Sequence, residues 1–254
     1  MFKKRGQVSI FILIGVVVLF ILFFAISSGS NKIFGRPFDF DYDVVAVNNY
    51  VVGCLERSSE NVLWDLGLEG IYEEESEISR YKGRRVSVYN SNPPISEVKL
   101  KINTWILNEF DKCFDRQFLE KQGYTIELNE SKSVDVSISE KDIVIHLNFP
   151  FKISKSGREK SFSEFISTMD VGFGFLYSRA DLLIEEVKKN PNYNLSNYCG
   201  FYDSNSFINI IVGGSGDEQI ISFIDYSYLD TKYSKSYVYR FSLRGTNIEG
   251  ECVG

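Results

Sequence analysis

From Val8 to Ile26 the chain reads VSIFILIGVVVLFILFFAI, nineteen residues without a charge. At about 1.5 Å per residue a helix of this length spans roughly 28 Å, close to the hydrocarbon thickness of a bilayer. Such a helix satisfies its own backbone hydrogen bonds, which lipid cannot do for it. The run predicts a transmembrane helix over 7–27, with the lipid bilayer as its partner through Val8–Ile26. Lys3, Lys4 and Arg5 precede it, and positive flanks stay cytoplasmic. Residues 1–6 therefore read as a basic cytoplasmic leader. Residues 28–42 read as a tether that opens on Ser28-Gly29-Ser30-Asn31. Residues 43–254 read as an extracellular domain. A secretory signal peptide is the competing reading. Its apolar core is shorter, about 7–15 residues, and ends in small residues such as Ala25-Ile26-Ser27.

Lys4-Arg5-Gly6 followed by Gln7-Val8-Ser9 resembles the class III signal peptide of archaeal type IV pilin-like proteins. The resemblance implies a peptidase cut between Gly6 and Gln7, with the apolar helix kept on the mature chain. The family usually carries a glutamate at the fifth mature position, and that acid aligns subunits in the filament. Phe11 stands there in this chain, which argues against filament assembly. The body is also similar to archaeal membrane-anchored proteins with a cysteine-bearing helix that ends in a Leu-Gly turn. Here that pattern runs from Cys54-Leu55-Glu56 to Leu66-Gly67-Leu68.

The roughly 228 residues beyond the apolar run can bury a core of their own. Aromatic residues make up 15% of the chain, with 21 Phe and 15 Tyr, whereas disordered segments lack them. The net charge is −6. Setting aside Lys3, Lys4 and Arg5 leaves 25 basic against 34 acidic residues, or −9. That sign repels phosphate backbones and predicts no nucleic-acid partner.

The four cysteines, Cys54, Cys113, Cys199 and Cys252, fit disulfides in an oxidising exterior. Three pairings are open. Periodicity gives a hint. Val47, Val51, Cys54, Leu55, Val62 and Leu66 fall on one helical stripe, and Ile102, Ile106, Phe110, Cys113, Phe114 and Phe118 on another. Packing these stripes together brings Cys54 to Cys113 and leaves Cys199 with Cys252. Buried free thiols are the alternative. Zinc is disfavoured, because a structural site needs cysteines clustered as in C-x-x-C.

Coarse patterning predicts α+β architecture, with about three helices and antiparallel sheet. Asp43 caps a first helix that ends at Gly67, and Pro93-Pro94 opens a second that ends at Gly123. Residues 125–128, 134–138 and 143–151 alternate as strands. A third helix is expected from Ser161 or Ser163 to Lys189, with Gly172 and Gly174 in its middle. Strands follow at 207–212, 219–228 and 236–243, and a sub-boundary is plausible near 191–198.

Motifs for chemistry are sparse. His146 is the one histidine and shares a strand face with Val144 and Asn148, which reads as a surface residue. Asp39, Asp41 and Asp43 have calcium-loop spacing, but Val44 and Tyr50 stand where a calcium loop needs glycine and glutamate. Glu73, Glu74, Glu75 and Glu77 read as a solvated run. Val212-Gly213-Gly214-Ser215-Gly216-Asp217 precedes strand pattern and reads as a hairpin turn, not a phosphate loop. Asn129 and Asn194 head N-glycosylation sequons. Tyr226, Tyr228, Tyr233, Tyr237 and Tyr239 suit either an interface or cross-strand pairing.

No catalytic residue, cofactor or metal ligand is assigned. The chain reads as a membrane-anchored extracellular protein of the cell envelope with a binding or structural role and an envelope or filament protein as a possible partner. A pilin-like filament subunit is one alternative. An extracellular hydrolase working through two carboxylates in one pocket is the other.

Overall fold

Alternating and helical patterns do fold into α+β structure with antiparallel sheets. In the computed structural model, the residues described are 40–71, 78–89, 92–129, 131–199, 208–215, 217–230 and 235–250. The chain divides into two units, Met1–Val47 and Asn48–Gly254. Helix α1 (Phe40–Glu69) begins in the first. The second continues with β1 (Ile78–Tyr81), β2 (Arg84–Ser87), α2 (Ile95–Cys113), α3 (Arg116–Lys121), β3 (Thr125–Leu128), β4 (Ser133–Ile138), β5 (Ile143–Lys155) and β6 (Arg158–Met169). Then come α4 (Phe173–Lys189), α5 (Ser196–Cys199), β7 (Ile208–Ser215), β8 (Glu218–Asp230) and β9 (Lys235–Arg244). Among the described residues no helix is long and apolar enough to cross a membrane. The expected span over 7–27 and its cleavage residues Gly6 and Gln7 lie outside the described residues.

Strand β5 organises the larger sheet. Its odd-numbered residues Ile143, Ile145, Leu147, Phe149, Phe151 and Ile153 are buried, as period-two alternation requires. β6 runs antiparallel along one edge. β4 and then β3 share the other edge end to end. Pro150 lies where the β5–β6 register shifts between Asn148 and Phe151, a place where a missing backbone donor is tolerated. Helix α2 buries Val98, Ile102, Ile106 and Phe110. Phe110 meets Phe149 edge-on, with centroids 5.5 Å apart, and Phe149 meets Phe151 at 5.0 Å.

The second sheet has the order β7-β8-β9, all antiparallel. Its core side chains include Ile210, Ile220, Phe223, Tyr239 and Phe241. Phe173, at the start of α4, packs edge-on to Tyr239 at 5.6 Å. Residues 191–195 are tied to 247–249 through Asn247 N–H to Pro191 O at 2.7 Å and Leu195 N–H to Glu249 O at 2.9 Å.

Several expected boundaries are corrected. Residues 158–169 are strand, not the first half of a helix. Phe162, Phe165, Ile166 and Met169 mimic helical spacing, but all twelve residues run beside β5, and the two-residue turn Ser156-Gly157 folds them back with both φ angles positive. Gly172 then starts α4, and Gly174 packs against the backbone of Ser139. The second helix stops at Cys113. Phe114 is extended, and Asp115 caps α3 by accepting from Gln117 N–H at 2.8 Å. The first helix runs on to Glu69, and Gly70, at φ +74°, takes the left-handed cap expected of Gly67. Asp43 lies inside that helix and does not cap it.

Candidate ligand-binding cleft

Cys54 and Cys113 are bonded, with Cα atoms 5.6 Å apart. One turn earlier on α1, the Tyr50 hydroxyl donates to the Cys113 carbonyl at 3.3 Å and accepts from Asp115 N–H at 2.8 Å. The two helices that this pin joins also carry the two tryptophans. Trp64 is ten residues past Cys54 and Trp105 eight residues before Cys113. At the helical rise that puts them about 15 Å and about 12 Å from the bridge. Both tryptophans of the chain thus sit at similar helical distances from the bridge.

A cleft of about 930 Å³ opens there, and both indoles line it. From α1 come Asn61, Val62, Asp65 and Leu68, and from α2 Asn108, Glu109 and Lys112. β8 and β9 supply Ile224, Tyr226, Ser236 and Val238, and β2 supplies Arg84. Both tryptophans are half-buried. The Trp64 ring leans on Tyr237 at 5.8 Å. Tyr237 is itself buried and donates its hydroxyl proton to Leu63 O at 3.1 Å. Tyr226 is 43% exposed on the rim.

The charged side chains of the cleft face one another. Arg84 lies 3.6 Å from Asp65 and 3.7 Å from Glu69. Lys112 pairs with Glu109 on its own helix. These pairs are solvated and worth under about 1 kcal/mol each. The four charged residues that line the cleft, Asp65, Arg84, Glu109 and Lys112, sum to zero, and Glu69 beside Arg84 adds one negative charge behind them. Flat aromatic faces, two exposed amides and balanced charges make a surface suited to holding a ligand.

The expected site residues are scattered. Cys199 ends α5 and only its backbone is described; Cys252 lies outside the described residues, so their pairing does too. Asn129 and Asn194 are both exposed, and each carboxamide oxygen accepts from the serine two residues on, Ser131 N–H at 3.3 Å and Ser196 N–H at 2.9 Å. His146 faces solvent beside Glu164, Nδ1 to Oε1 3.1 Å. The glycine-rich stretch closes the β7–β8 hairpin. Residues 72–77, with the acidic run, lie outside the described residues. Of the tyrosine group, Tyr237 and Tyr239 are core residues and Tyr226 is on the cleft rim.

The cleft itself is not among the sequence expectations. Its signal was present in the near-equal spacing of Trp64 and Trp105 from the two helix cysteines. No protein-family model, curated protein or solved structure matches the chain.

Proposed function

We propose that this chain is a membrane-anchored binding protein of the cell envelope, held by the helix over 7–27 and displaying its α+β body outside. The observation that carries the binding role is the convergence of Trp64 and Trp105 in one cleft. Tryptophan supplies large apolar area at low entropic cost, with one polar handle. The uncharged run with basic residues on its N-terminal side supports the anchor and its orientation.

Alkaline carbonate washing should leave the chain in the membrane, and protease added to whole cells should digest residues beyond about 30. Release by carbonate or full protection overturns the anchor. Solubilised envelope material should shift the tryptophan emission of the full chain saturably, and Trp64→Phe and Trp105→Phe, each keeping the other indole as reporter, should each require more material to reach half of their own maximal shift. No shift overturns the binding role.

The presence of Asp65 and Glu109 in the same cleft favours one second reading, an exterior glycoside hydrolase. Two carboxylates are the usual requirement of that chemistry. Shortened products after incubation of the full chain with oligosaccharides, absent with Glu109→Gln, would establish it.

A further inference from the structure

Each long helix carries the same three kinds of side chain into the cleft. α1 brings Asn61, Trp64 and Asp65, and α2 brings Trp105, Asn108 and Glu109. From the first residue of each trio the other two lie three and four residues on, so each trio lies on one helical face. Both asparagines are exposed.

This chemistry selects among ligands. The charges already face partners within the walls, Asp65 toward Arg84 and Glu109 toward Lys112. A charged ligand has to displace such a pair, whereas a neutral one does not. A wholly apolar ligand strips water from the amides and carboxylates and returns no hydrogen bonds, which costs free energy. A proline-rich peptide suits the indoles, but proline has no N–H, so it offers few donors to Asp65 and Glu109. A sugar ring matches every group. Its C–H face lies flat on an indole. Its edge hydroxyls both donate and accept, amides do likewise, and carboxylates accept. About 930 Å³ is near the top of the roughly 300–1,000 Å³ range of small-ligand sites, which favours a short oligosaccharide over a single sugar.

We infer that the cleft binds an uncharged oligosaccharide, stacked on Trp64 and Trp105 and hydrogen-bonded by Asn61 and Asn108. The inference rests on the reading of the chain as an envelope binding protein and adds the ligand class.

The test uses the full chain in a detergent without a sugar headgroup. Tryptophan emission is followed while maltotetraose, cellotetraose, mannotetraose or tetra-N-acetylchitotetraose is added, with a decaproline peptide as comparator. At least one tetrasaccharide should give a saturable shift. Trp64→Ala and Trp105→Ala should each weaken it at least about tenfold. The surface variant Asn61→Ala/Asn108→Ala should weaken it similarly while its circular dichroism and melting stay those of the parent. Silence from all four sugars at about 20 mM, well above weak-binding concentrations, overturns the inference. So does a shift that survives in the asparagine variant. If decaproline moves the emission and the sugars do not, the sugar assignment falls and the binding-protein reading stands. If envelope material also fails, both fall.

Discussion

Gly67 on α1 meets the backbone carbonyl of Val238 on β9 so closely that a Cβ on Gly67 would overlap it and would also come within 3.1 Å of the Tyr237 ring. Helix backbone and strand backbone touch here without a side chain between them. Val238 lines the cleft, and Tyr237 backs Trp64. The glycine therefore fixes how near the helical wall stands to the sheet wall.

Gly67→Ala has to push α1 off β9, because the obstacle is backbone and cannot rotate away. Overpacking of this kind costs about 1–3 kcal/mol. Urea denaturation should show that loss, and ligand-dependent tryptophan shifts should weaken in the same variant. A stability equal to the parent's would mean that the helix and strand separate without cost.

The Cys54–Cys113 bridge closes 59 residues of sequence. In the chain-entropy model a loop of that size contributes about 4 kcal/mol. The Cys54→Ser/Cys113→Ser variant should lose stability on that scale. It should also respond less to cleft ligands, since the pin joins the two helices that carry Trp64 and Trp105. Chemical denaturation with and without reductant separates this bridge from any other.

Buried tyrosines make stability fall at alkaline pH. Burial raises the Tyr239 phenol well above its usual value of 10.0, with the neighbouring Tyr89 adding to it. Burial also raises Tyr89, although its hydroxyl accepts from Ile71 N–H at 2.6 Å. Tyr177 is pushed up to about 12, first by burial and then by the charge of Asp181. The folded pKa exceeds the unfolded one in each case. Their contribution is therefore complete below pH 10 and is lost as pH rises toward and past 12. Tyrosinate absorbance should lag in the native protein and jump on unfolding. Tyr239→Phe should cost about 1 kcal/mol at pH 8, through its lost bond to Asn92 Oδ1 at 3.4 Å, yet decline less steeply above pH 10.

If the body is displayed outside, Asn129 and Asn194 should carry glycans, because both are exposed and lie outside the helices and named strands. Glycopeptide mass spectrometry of the native membrane protein should find them. Asn129→Gln and Asn194→Gln should remove the added mass and change stability by no more than about 0.5 kcal/mol, as surface substitutions do. Unmodified peptides at both sites would count against the exterior location.

Most element types were legible because their periods were strong. The alternation through β4 and β5, and the stripes of α1 and α2, are repeated many times along each element. The stripes even placed Cys54 opposite Cys113. Residues 158–169 were misread because Ser161, Phe162, Phe165 and Ile166 satisfy both a helix-start pattern and a strand. Only pairing with β5 separates the two. Gly67 and Gly70 lie three residues apart, and sequence had no means of telling a cap from a close approach.

Local chemistry thus determined the uncharged N-terminal run and the α+β class and pointed to the pairing of Cys54 with Cys113, since each follows from residues near one another or from periodic faces. The placing of Trp64 and Trp105 in one cleft, the burial of Tyr237 and Tyr239, and the approach of Gly67 to Val238 were decided by tertiary packing alone. These arrangements bring together segments 40 to more than 170 residues apart, and no local preference encodes which distant surface a side chain will face.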